Sequence, residues 1–120
     1  MFQPADSIFG KLKVLVARIT QRLLLEVETS STDAGAISVA VPVTCLTSAG
    51  AETRTLANGY PGQVKIIFMM TAGGTVTITP VNLYNGNTIA FAEVNDGWIG
   101  IFYGGTWHTL AGTAAVSVLA

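Results

Sequence analysis

The sequence predicts an all-β fold, an antiparallel sandwich or jelly-roll-like barrel with an N-terminal basic arm, and three observations predict it. Short apolar runs rich in Val, Ile, Phe, Thr and Trp recur along the chain, the pattern of successive short strands. Turn residues punctuate every run: Ala72-Gly73-Gly74, Asn85-Gly86-Asn87, Asn95-Asp96-Gly97 and Gly104-Gly105. These supply the positive φ values that tight hairpins need. Charge is scarce, at 11 % of residues with a net charge of −1, while 50 % of residues are hydrophobic. Soluble domains carry about 25 % charge, so much of this surface is expected to be covered by copies of the chain or by another protein.

The 120 residues suit one domain, organised as an arm and linker over 1–35 and a β body over 36–120. In the arm, Asp6 or Ser7 can cap a helix starting at Ile8, and Ile8, Leu12, Leu15, Ile19 and Leu23 recur at helical spacing. Leu12, Val14 and Val16 also alternate with Lys11, Lys13 and Leu15, so an extended arm fits as well. Lys11, Lys13, Arg18 and Arg22 are four of the six basic residues in the protein. A docking arm, a membrane-surface helix and a nucleic-acid contact are all consistent with such a segment. Single spacing of the basic residues, without interleaved aromatics, favours docking, through Leu12, Leu15 and Ile19 on the apolar side. Thr29 to Gly35 reads as a polar linker.

The body opens with a half-buried strand over Ala36–Val41, which Pro42 ends, followed by strands at Val43–Thr47 and Glu52–Thr55. Gln63–Thr71 is almost wholly apolar and reads as a central strand covered on both faces. Thr75–Thr79 alternates, with Val76 and Ile78 on one side and threonines on the other. Thr88–Ala92, Trp98–Tyr103, Thr106–Leu110 and a terminal Val116–Leu119 bring the total to eight or nine.

Catalytic chemistry finds no foothold in this pattern. His108 is the single histidine and Cys45 the single cysteine, too few ligands for a metal site. Glu93 and Asp96 bracket a turn, and the glycines lie between strands rather than between a strand and a helix, which speaks against an acid–base pair and against a phosphate cradle. No cofactor is expected. Trp98, Phe102, Tyr103 and Trp107 are candidates for core and intersubunit packing, or for a sugar platform. No run of apolar residues is long enough for a spanning helix, and the N-terminus does not read as a signal peptide.

The stretch Leu56-Ala57-Asn58-Gly59-Tyr60-Pro61-Gly62-Gln63-Val64-Lys65, the following GGTVTITPVNLYNGNTIAF and the closing GGTWHTLAG resemble a β-rich module of structural proteins of tailed bacteriophages. The likeness covers roughly Val43 to Gly112; Pro61, where an acidic residue is usual, and the basic arm depart from it. The resemblance implies a virion surface component, typically a homotrimer. A short chain with an arm suits a capsid cement or head-decoration protein whose partners are the major capsid protein and itself, with no role for nucleic acid or membrane. The alternative is a receptor- or glycan-binding module of a tail or head fibre, which requires Trp98, Tyr103 or Trp107 to be exposed.

Overall fold

A computed structural model describes Lys11 and residues 24–117. Ten strands form: β1 (Val27–Ser30), β2 (Gly35–Ile37), β3 (Val43–Ser48), β4 (Glu52–Leu56), β5 (Val64–Ala72), β6 (Val76–Pro80), β7 (Thr88–Phe91), β8 (Gly97–Tyr103), β9 (Thr106–Gly112) and β10 (Ala115–Ser117). They make two five-stranded sheets packed as a sandwich, in the orders β1-β3-β5-β8-β9 and β10-β7-β6-β4-β2. The all-β sandwich is therefore as the sequence predicts, but the sheets are mixed rather than antiparallel. From β1 to β6 the chain alternates between the sheets, and β1-β3-β5 and β2-β4-β6 pair in parallel. Only the second half is built of hairpins, β6-β7 and β8-β9, with β8 also antiparallel to β5.

The early turns are thus corners between sheets, and they stack on one another. Gly73 N–H donates to Ser48 O at 2.9 Å, and Glu52 N–H to Thr75 O at 3.0 Å. A Cβ on Gly74 would collide with the backbone of Gly50 and Ala51. Gly73 and Gly74 are accordingly not among the residues with positive φ, whereas Gly104, Gly105, Asn85 and Asn95 are. The role of the first pair is close backbone approach. Because backbone cannot swing aside as a side chain can, Gly74→Ala is expected to cost about 1–3 kcal/mol of stability, read by urea denaturation.

The core is continuous between the sheets and includes Ile37, Leu46, Leu56, Ile67, Met69, Ile78, Phe91, Trp98, Phe102 and Trp107. The strict alternation of β6 holds, with Val76 and Ile78 buried and Thr79 exposed. Central placement of β5 holds too, but it alternates in the same way: Lys65, Ile67 and Met69 are buried while Val64 and Met70 are exposed. Several boundaries move. Thr29 and Ser30 are part of β1 rather than of a linker. β2 stops at Ile37, four residues early, because Ser38 O and Val41 O turn inward to accept hydrogen bonds from Lys65 Nζ at 2.6 and 2.7 Å. β9 runs on to Gly112 past an irregularity opposite Ile99/Gly100, and β10 begins at Ala115, one residue before the predicted terminal strand, whose Val118 and Leu119 lie outside the described residues.

Candidate functional site

Because side chains alternate along a strand, fixing the inward set fixes the outward one. On the sheet containing β5, the outward residues form rows across the strands. Val27, Val43, Ile66, Ile99 and Ala111 are consecutive cross-strand partners from edge to edge. Val64, Ile101 and His108 make a second row, and Thr29, Cys45, Phe68 and Gly97 a third. No charged residue stands in these rows. Val43 and Cys45 are buried without belonging to the core cluster between the sheets. Burial pushes the Cys45 thiol above its usual range. The opposite sheet presents a different outer surface: Thr53 pairs with Thr77, Thr55 with Thr79, and Thr77 with Ala90, a face of threonine and small residues.

Two cations, Lys65 and Arg54, are placed inside the sandwich. Lys65 is fully buried, its ammonium 3.9 Å from Glu28 Oε1, and that oxygen accepts from Ser38 N–H and Thr44 Oγ1, each at 2.7 Å. Burial lowers the lysine to about 8, against a smaller opposing pull from the Glu28 charge. Arg54, also fully buried, donates through Nε to Ser30 Oγ at 2.9 Å and through Nη2 to Thr47 O and Glu52 Oε1. Its hydrogen bond, ahead of one from Ala49 N–H, lowers the Glu52 carboxyl. These networks satisfy their members and tie β1 to β3, β4 and β5; they are structural.

The other predicted site residues separate clearly. Trp98, Phe102 and Trp107 lie in the interior, edge to face, with centroids 6.2 Å apart for the Trp pair and 5.2 Å for Phe102–Trp107. They are core of one chain and not surface offered to another; of the four, only Tyr103 is exposed, at 67 %. The inward period of β8 and β9 explains this, since Trp98 and Phe102 fall on the same side as the core residues of β5. Lys11 is exposed, and Leu12, Lys13, Leu15, Arg18, Ile19 and Arg22 lie outside the described residues. Glu93 and Asp96 do not face each other as acid and base: Asp96 Oδ2 accepts from Ala92 and Glu93 N–H and holds the turn. The described residues contain no group of three or more metal-ligating side chains and no helix long and apolar enough to cross a membrane.

Among known proteins, no family model and no curated sequence matches the chain.

Proposed function

We propose that the chain is a non-enzymatic structural protein of a virion surface, a decoration or cement protein that docks on the major capsid lattice. It docks through the outer face of the sheet containing β5, together with the N-terminal arm. The observation that carries this reading is that face: five strands wide, largely apolar, without a charged residue in its rows, and exposing Val27, Val64 and Ile99. Large apolar patches on monomers are uncommon and mark contact surfaces. The resemblance of the body to phage structural modules supplies the setting, including assembly as a homotrimer.

Size makes the arm necessary to the reading. Strands about 4.8 Å apart, each about seven residues at about 3.3 Å, span roughly 24 by 23 Å, or roughly 550 Å². A standard interface takes about 800 Å² per partner. The arm joins the face at its edge, since Leu24 leads directly into β1, and burial of its apolar residues at about 25 cal/mol per Å² makes up the difference.

The test mixes capsid shells of the same virus with the full chain, with a chain beginning at Leu24, and with a Val64→Asp/Met70→Asp chain, whose two sites are exposed. Beginning at Leu24 keeps β1, which pairs with β3. The full chain is expected to bind in fixed ratio and raise the shell's melting temperature, and both altered chains to bind at least about tenfold more weakly. Failure of the full chain to bind shells at all ends the proposal.

A further inference from the structure

Every strand from β2 to β10 puts at least one apolar side chain into the core or against it. β1 puts none. Side chains alternate along a strand, and the two that β1 turns inward are Glu28 and Ser30, both half-buried, while Val27 and Thr29 are exposed. What holds β1 is polar throughout. Its backbone pairs only with β3, in a short parallel ladder at the edge of the sheet, extended by Val43 N–H to Glu26 O at 3.2 Å. Glu28 Oε1 accepts from Ser38 N–H and Thr44 Oγ1 and lies 3.9 Å from Lys65 Nζ, and Ser30 Oγ accepts from Arg54 Nε.

The buried cations do not depend on β1 for their partners. Lys65 donates to Ser38 O and Val41 O, and Arg54 to Thr53 O, Thr47 O and Glu52 Oε1, all outside β1. Lifting β1 therefore leaves neither charge alone, and water can replace the bonds that β1 itself supplies. No side chain of β1 leaves the apolar core in the process. A strand such as β6 cannot leave on these terms, because Val76 and Ile78 would be exposed and a cavity opened behind them. Where β1 ends, the chain is clamped. Asp33 Oδ1 accepts from Thr53 N–H at 2.9 Å and Ala34 N–H donates to Thr53 O at 2.8 Å, so residues 33 and 34 stay on β4 when β1 lifts.

We infer that β1 is a releasable strap, a strand that leaves the sandwich as a unit, hinged at Ser31 and Thr32, while the rest of both sheets stays folded. Short edge segments held by exchangeable bonds open at the low end of the range of local unfolding energies. Residues 24–32 reach about 30 Å when extended, so release gives the arm that β1 carries about that radius of movement around Asp33. The inference rests on the contacts of β1 alone and stands whether or not the outer face docks on a shell.

The protein contains its own reporter. Cys45, the single cysteine, is buried in β3 with Thr29 of β1 as its register partner, so a strap that lifts uncovers the thiol. The experiment follows labelling of Cys45 in the full chain by excess N-ethylmaleimide at a series of urea concentrations below the unfolding transition. The rate is expected to be far below that of an unfolded thiol and nearly independent of urea, because the opening exposes little surface, whereas labelling through global unfolding rises steeply. Glu28→Ala and, independently, Ser30→Ala should each speed labelling about fivefold or more. Hydrogen exchange run alongside should show Val43 N–H opening with the thiol while the amides of Ile67 and Ile78 keep their protection, which also establishes that each variant is folded. The inference is overturned if labelling carries the urea dependence of global unfolding, if Cys45 in the parent reacts as fast as in the unfolded chain, or if either alanine variant labels no faster than the parent.

Discussion

Lys65→Ala is expected to destabilise the chain by about 3–5 kcal/mol, and Lys65→Met by only about 1–3 kcal/mol. Alanine leaves a cavity as well as unpaired carbonyls at Ser38 and Val41, which the ammonium now serves at 2.6 and 2.7 Å. Methionine refills the volume and forfeits only the hydrogen bonds. The contrast separates packing from polar satisfaction at a position with no exposed side-chain surface. Equal losses in the two variants, measured by urea denaturation, would show that the volume of the side chain contributes nothing and that the lost polar contacts account for the whole effect.

The same residue predicts an unusual pH dependence. In the folded chain Lys65 gives up its proton at about 8, while an unfolded lysine holds it to about 10.5. Between these values the unfolded state binds more protons, so raising the pH stabilises the fold, by an upper bound of about 3 kcal/mol. The neutral amine still offers two N–H donors to its two carbonyls. Cys45 acts in the opposite sense: its raised thiol means the unfolded state loses that proton first, and stability falls as pH rises. Both chains in the comparison therefore carry Cys45→Ala. Stability of the chain that keeps Lys65, relative to the Lys65→Met chain, should climb from about pH 8 to about pH 10, and parallel profiles would refute the linkage.

Which features were legible follows from what a period of two encodes. It gives the faces of a strand but not its partner. Val76 and Ile78 against Thr77 and Thr79 read correctly, as did the positive φ of Asn85 and Asn95, although the Asn95 turn links the two sheets rather than a hairpin. Ser48-Ala49-Gly50 and Ala72-Gly73-Gly74 look like hairpin loops, yet each carries the chain from one sheet to the other, and only the contact between the two corners shows why glycine is needed there. The parallel pairing was hidden for that reason. Lys65 was legible in principle, since it shares a face with Ile67 and Met69, but an apolar run masks the one polar member whose direction matters. The aromatics stand out by type, and type alone cannot distinguish the inward Trp98 and Trp107 from the outward Tyr103. The stacking of Tyr84 on His108 joins two separate segments, which no linear spacing reveals.

Trp107 joins the core to the loops after β4 and β6, and its replacement by alanine is expected to cost about 3–5 kcal/mol, a large part of the roughly 5–15 kcal/mol that holds a domain together. The ring is fully buried, stacks edge to face with both Trp98 and Phe102, and sends its indole N–H to Ala57 O at 2.9 Å. Trp107→Phe retains a ring in the stack and loses the hydrogen bond and part of the volume, for about 1–2 kcal/mol. The two effects fall on different elements. Cavity formation weakens the whole sandwich, whereas loss of the Ala57 bond releases the 57–63 loop, which Tyr60 and Gln63 otherwise close through Gln63 N–H to Tyr60 O at 2.9 Å. Hydrogen exchange should therefore show Trp107→Phe raising exchange in residues 57–63 and 81–84 while β3 and β6 keep their protection, and Trp107→Ala raising it throughout. If Trp107→Phe instead loosens all strands equally, the indole bond is a minor term and packing alone fixes the loops.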